Sequence, residues 1–241
     1  IPCPRHDCES SDGAWQYEDG SVFCFVCERR SDTNGNPWKQ MNKNATVADL
    51  LNLPRTDEVT KKVTLLKSDP LESIRKIAAK TFRLYDYVAG KFKGSDAQIA
   101  NYRDSNGLTT AQHIRYGEKQ FAWIGRDKSV KVQLFGQHLG STGTLVLCEG
   151  EIDAMSVYQV LNKNRASQKF VCASIPDGAQ SAHRACQDQL SWILGFRKVI
   201  IFMDNDDPGK KAAAKLAELV GPSACIASGF AYKDANQALV A

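Results

Sequence analysis

The stretch Leu145-Val146-Leu147-Cys148-Glu149-Gly150-Glu151-Ile152-Asp153 decides the architecture of the carboxyl-terminal half of this chain. Four apolar residues without alternation read as a strand buried on both faces, and the apolar spacing over 152–161 reads as a helix. The same order repeats downstream: strand 170–173 and helix 181–194, strand 199–203 and helix 208–220, then strand 224–226. Strands alternating with helices place this half in the α/β class with a parallel sheet, where ligands sit at the carboxyl ends of the strands. Acids stand at two of those ends. Glu149, Glu151 and Asp153 follow the first strand, and Asp204-Asn205-Asp206-Asp207-Pro208-Gly209 follows the third.

Carboxylates gathered at strand ends repel one another unless a cation neutralises them. Oxygen-only donors favour a hard ion such as magnesium, held partly by water and by substrate phosphates. Such a site suits phosphoryl or nucleotidyl transfer. The plainer use of such acids is helix capping, by Asp206 or Asp207 before Pro208.

Working outward, charge is unevenly spread. Residues 60–135 hold 15 basic and 7 acidic residues, net +8; residues 1–59 hold 6 and 10, net −4; and residues 136–241 hold 10 of each. A basic middle suggests a polyanion-binding face. A capping pattern at Asp69-Pro70-Leu71-Glu72 predicts a helix with Leu71, Ile74 and Ile77 on its apolar face. From Ala97 the period changes to two, with a tight hairpin turn at Asn106-Gly107 and strands over 110–116, 120–124 and 130–135. Arg103, Arg115, Lys119, Arg126, Lys128 and Lys131 lie on or beside them. On a small sheet such residues either hold phosphates or guard exposed edges against aggregation.

The eight cysteines fall into two sets. Cys148, Cys172, Cys186 and Cys225 lie singly in apolar contexts and read as reduced, small hydrophobes. Cys3-x4-Cys8 and Cys24-x2-Cys27 form two knuckles around a hairpin signal at Asp19-Gly20, the pattern of a zinc ribbon. Disulfides, or His6 in place of one cysteine, are the alternatives. Residues 37–68 have linker character, with one short helix near Thr46 ended by Pro54. No apolar run is long enough for a membrane span, no signal peptide is present, and the absent initiator Met suggests a piece of a longer chain.

Glu149-Gly150-Glu151 with Asp204-x-Asp206 resembles a Toprim domain, found in bacterial-type primases, topoisomerases and some nucleases. The cysteine knuckles, Tyr102-Arg103-Asp104-x-Asn106-Gly107, Leu134-Phe135-Gly136 and Lys233-Asp234-Ala235-Asn236 narrow the resemblance. Together they resemble the primase half of the bifunctional primase-helicases of short-tailed bacteriophages. That resemblance implies four parts: a zinc ribbon for template recognition (1–36), a linker (37–68), a basic mixed β/α subdomain (69–143) and a Toprim catalytic subdomain (144–241). It implies RNA primer synthesis from ribonucleoside triphosphates on a single-stranded DNA template, in the cytoplasm of an infected host. Zinc on Cys3, Cys8, Cys24 and Cys27 would be structural. Magnesium or manganese would lie among Glu149, Asp204 and Asp206, with Asp153 and Asp234 nearby, and Glu149 is a candidate base for the attacking 3′-hydroxyl. Arg103, Arg115, Lys119, Lys128, Lys131 and Lys233 would handle nucleotides and template. A helicase domain in the same full-length chain and a replicative DNA polymerase are the implied partners. The chain carries no Walker-type phosphate loop, so any helicase activity lies beyond Ala241. A Toprim nuclease or topoisomerase, and a non-enzymatic zinc-Toprim clamp on DNA, are the competing readings.

Overall fold

The structure is a computed structural model that describes residues 14–16, 22–24, 29–30, 39–40, 64–104, 106–126, 131–163 and 170–241. The chain divides into two compact units, Ile1–Lys61 and Lys62–Ala241. In the first, strands β1 (Ala14–Gln16), β2 (Val22–Cys24), β3 (Arg29–Arg30) and β4 (Lys39–Gln40) form an antiparallel sheet in sequential order. Ala14 pairs with Cys24, which is fully buried. Cys3, Cys8, Cys27, His6 and the expected helix near Thr46 lie outside the described residues.

The second unit holds two sheets. An antiparallel one runs β5 (Ser68–Pro70), β6 (Tyr87–Phe92), β7 (Ser95–Arg103), β8 (Thr109–Tyr116) and β9 (Gln120–Ile124), in that spatial order. Its period of two sorts side chains cleanly. Ala97, Ile99 and Ile114 face one way with Val88 and Phe92, while Tyr87, Ala100, Tyr102 and Ala111 face the other with Ile77, Phe82 and Phe135.

The parallel sheet has the order β11 (Phe170–Ser174), β10 (Thr144–Cys148), β12 (Lys198–Phe202), β13 (Ala224–Ile226). Alternate residues of its strands enter different cores, which is why their sequences are apolar throughout. Leu145, Leu147, Val199 and Ile201 pack with Leu216 of α5 (Asp207–Val220). Val146, Cys148 and Cys172 pack with Ala154 of α2 (Glu151–Asn162) and Ala235 of α6 (Ala235–Val240).

Leu134-Phe135-Gly136 stitches the two sheets together. Phe135 exchanges backbone hydrogen bonds with Ser174 (3.1 and 3.0 Å), and the Tyr85 hydroxyl donates to the Cys172 carbonyl at 2.8 Å. Gly136 is required twice over: its φ is +80°, and a Cβ there would lie 2.6 Å from the Cys172 carbonyl oxygen.

Several expectations are corrected. The segment from Asp69 is not a helix: Ser68–Pro70 pairs with Gly90–Val88 as an edge strand, where a proline is tolerated. Arg75 and Lys76 then take left-handed φ values of 51° and 57°, which no helix accommodates. The helix α1 starts only at Ala79 and runs to Tyr85. Strand β6 was not anticipated. The turn at Asn106-Gly107 is wider than a two-residue hairpin, closed by the Asp104 carboxylate accepting from Asn106 N and Leu108 N, both at 2.9 Å. The strand expected over 130–135 reduces, among its described residues, to the single bridge at Phe135. The helix over 181–194 is broken into α3 (Ala182–Asp188) and α4 (Leu190–Ile193) at Gln189, whose side chain bonds instead to Gln137 and Val132. Cys148, Cys172 and Cys186 are buried free thiols as expected, but Cys225 is exposed.

Candidate active site

A cleft of about 320 Å³ opens where the carboxyl ends of β10 and β12 meet the antiparallel sheet. One wall carries Arg75, Arg115 and Lys119, and the other carries Asp153, Asp204 and Asp234.

The acidic wall follows from the strand-to-helix turns. Glu149 and Asp204 leave neighbouring parallel strands, and the Asp204 N–H lies 3.4 Å from a Glu149 carboxylate oxygen. Asp206 is the N-cap of α5, accepting from Gly209 N at 2.9 Å, so the capping use of this acid is real. Gly209 lets α5 sit tightly on the loop, since a Cβ would fall 2.2 Å from the Asp204 carbonyl oxygen. Asp234 likewise caps α6, accepting from Gln237 N at 2.6 Å. Asn236 gives its N–H to Asp153 at 3.0 Å and its side-chain amide to Ser156 and the Arg75 carbonyl. The Lys233-Asp234-Ala235-Asn236 motif thus fastens α6 to the acid-bearing helix α2.

Burial and mutual repulsion mark these carboxylates. Burial, then Asp234, Asp204 and Glu149, push Asp153 up to about 7. Burial, then Glu149, Asp234 and Asp206, push Asp204 up to about 6, against the lowering charge of Lys233. Burial also raises Glu149, opposed by N–H groups of Asp204 and Ala179. All three are held towards the protonated form, which a cation in the cleft would reverse. Among the described residues, no three His, Cys, Asp or Glu side chains close into a preformed metal cage.

On the basic wall, strand alternation places Arg115, while Arg75 and Lys119 come from turns with left-handed backbone. His113 and Arg115 on β8 and Phe121 and Trp123 on β9 share one face, with Arg115 opposite Phe121 and His113 opposite Trp123. Burial, and then the charge of neighbouring Arg75, lower Arg115; an anion between the two guanidinium groups would relieve that repulsion.

The expected residues therefore separate. Arg115, Lys119, Asp153, Asp204 and Asp234 line one cleft, with Glu149 and Asp206 beside them. Arg103 pairs with Asp86 at 2.7 Å and Lys131 with Asp188 at 3.3 Å, and neither lines the cleft. Lys128 lies outside the described residues.

Sequence reading found no sign of Arg75, absorbed into an expected helix, and grouped Glu151 with the acids after the first strand without a role of its own. Glu151 instead takes hydrogen bonds from the Tyr102 hydroxyl at 2.8 Å and from His113 Nδ1 at 2.6 Å. Its burial alone would raise the carboxyl, but the bonds and charge of His113 outweigh that and hold it low. Asp177 was also missed. It accepts from Trp123 Nε1 at 2.8 Å and pairs with Arg126, tying the loop after β11 to β9. The alternation of β8 and β9 was the available signal for His113 and Phe121.

Residues 69–125 match the family described as the N-terminal α+β fold of the bacteriophage T7 DNA helicase/primase, and residues 146–239 match the Toprim-like family. The chain is 29% identical over 242 residues to the DNA helicase/primase of Enterobacteria phage T3, covering 97% of this chain but only 40% of that relative's length. It is similar to the crystal structure of the primase fragment of the bacteriophage T7 primase-helicase, at 27% identity and a TM-score of 0.62, covering 98% of this chain and 92% of the other. It is also similar to a chain in the T7 lagging-strand DNA polymerase complex with two primase domains bound to an RNA/DNA hybrid and dTTP. There the identity is 30% and the TM-score 0.61, over 70% of this chain and 83% of the other. By this combination of matches, the chain belongs to the phage T7-type helicase/primase family and corresponds to its primase portion.

Proposed function

We propose that this chain is a DNA primase that makes short RNA primers from ribonucleoside triphosphates on single-stranded DNA, starting at specific short template sequences. The observation that carries this reading is the cleft itself, with Arg75, Arg115 and Lys119 facing the strand-end carboxylates Asp153, Asp204 and Asp234. The cationic wall suits a triphosphate or template backbone. The carboxylates are oxygen donors of the type magnesium prefers. That ion takes one or two carboxylates and completes its shell with water and phosphate, so dispersed acids suit it better than a closed cage. Magnesium or manganese held by Glu149, Asp204 and Asp206, with Asp153 and Asp234 around them, would neutralise the triphosphate and the departing pyrophosphate.

The protein's own groups do the rest. Arg115 and Lys119, which line the cleft, hold the triphosphate, and Glu149, whose carboxyl burial raises, takes the proton of the attacking 3′-hydroxyl. Lys233 offsets the charge of Glu149 and Asp204 between turnovers. Arg103, Lys128 and Lys131 serve the template strand. Zinc on Cys3, Cys8, Cys24 and Cys27 folds the amino-terminal sheet, which selects the template sequence. A helicase domain in the full-length chain, a replicative polymerase and the cytoplasm of a phage-infected host complete the setting.

The test is synthesis on a pool of random single-stranded DNA with four ribonucleoside triphosphates and magnesium, followed by sequencing of the products. Short RNAs with a shared start site are expected, and Asp204→Asn and Glu149→Gln should abolish them with DNA binding retained. Cleavage of the DNA without RNA synthesis would overturn the reading in favour of a Toprim nuclease.

A further inference from the structure

Phe121 sits on the edge strand β9 with 58% of its surface exposed, yet it lines the same cleft as the catalytic carboxylates. Exposed apolar residues scattered singly need no explanation. This one is built into a stack. Its ring lies on the His113 imidazole, with centroids 5.4 Å apart and planes 21° from parallel, and His113 lies on the Trp123 indole at 4.4 Å and 17°. The imidazole is fixed from the side by Glu151 at 2.6 Å, and Trp123 is fixed by its bond to Asp177. Phe121 is thus a flat apolar surface on a rigid support, and it is directly opposite Arg115 in the strand register. An apolar ring beside a guanidinium, in a cleft that also holds Lys119, is complementary to a base joined to phosphates.

We propose that Phe121 is the platform on which the base of an incoming ribonucleoside triphosphate stacks, with its phosphates on Arg115 and Lys119. The proposal rests on the primase reading above and adds to it the group that holds the base. The size of the cleft favours a single nucleotide over a run of template. About 320 Å³ is the volume of a small-ligand pocket, whereas a strand track spans several nucleotides. Stacking on an aromatic face accepts every base, as an enzyme that uses four triphosphates needs.

The test is extension of a short oligoribonucleotide annealed to its template, with apparent KM measured for each of the four ribonucleoside triphosphates. Inhibition by tripolyphosphate, which has phosphates but no base, is measured beside it. Phe121→Ala should raise the triphosphate KM by about fivefold or more, most of the effect falling on KM rather than kcat. The tripolyphosphate inhibition constant should stay the same, and Phe121→Trp should restore the KM. The side chain is exposed, so neither change threatens folding. An unchanged KM in Phe121→Ala overturns the proposal, as does an equal rise in KM and in the tripolyphosphate constant, which would mean the ring only shapes the cleft. Weaker binding of a single-stranded oligodeoxynucleotide with KM unchanged also overturns it, giving the ring to the template. Absence of extension by the wild-type protein under all conditions has a different meaning: it overturns the primase reading, and the base platform with it.

Discussion

Gly209→Ala tests how strictly the acidic loop is positioned. Gly209 is buried in the first turn of α5, where its N–H donates to the capping carboxylate of Asp206, and nothing in its φ demands glycine. On helix propensity alone, alanine should stabilise by about 1 kcal/mol. The obstacle is tertiary. The new Cβ would sit 2.2 Å from the Asp204 carbonyl oxygen, 3.0 Å from its carbon and 3.1 Å from its nitrogen, against ordinary contact at 3.4–4 Å. All three atoms are backbone, so no rotamer change relieves the overlap. The helix and the loop must part, at a typical overpacking cost of about 1–3 kcal/mol. The propensity gain offsets part of that, leaving a net loss of roughly 0–2 kcal/mol in unfolding free energy. Activity should suffer more, because a shift of about 1 Å in a positioned group costs on the order of a hundredfold in rate. Urea unfolding and primer extension on the same preparations supply the comparison, with exposed Lys210→Ala as the control on the same turn. A Gly209→Ala protein with extension within twofold of wild type would refute the claim that this glycine sets the place of Asp204.

Three other outcomes follow from the same geometry. Asp153, raised from 3.8 to about 7, gives stability that is complete below its unfolded value and lost as pH climbs through 7. In chelator, wild type should therefore lose on the order of a few kcal/mol relative to Asp153→Asn between pH 4 and 7.5, and parallel urea curves would contradict this. Arg115→Ala and Lys119→Ala should weaken triphosphate binding most at low salt, the difference shrinking as ionic strength rises; equal loss at every salt would point to packing instead. Elemental analysis should find one zinc per chain in protein purified without chelator, and Cys24→Ser should release it while the cooperative unfolding of residues 62–241 persists.

Much of the carboxyl-terminal half is legible locally because the information is local. Strands β10, β11 and β12 are buried on both faces, so their residues are apolar in sequence, and the acids that follow them stand at strand ends by topology alone. The sequence by itself determined the parallel sheet, the location of Glu149 and Asp204, and the family resemblance. Other features depend on partners distant in the chain. Asp69-Pro70 has every local mark of a helix start, but its backbone pairs with residues 88–90 instead, and a ladder of tertiary hydrogen bonds outweighs a capping preference of about 1 kcal/mol. Glu151 reads as one more acid of the cluster. It is instead committed to His113 and Tyr102, 38 and 49 residues away, because its position at the start of α2 turns it towards the other sheet. Arg75 reaches the cleft through a left-handed backbone that no local preference favours, and Phe121 gains its setting from a register between strands. Tertiary structure decided which charges share a cleft, since that depends on how two sheets are held together, and neither sheet's own pattern carries that information.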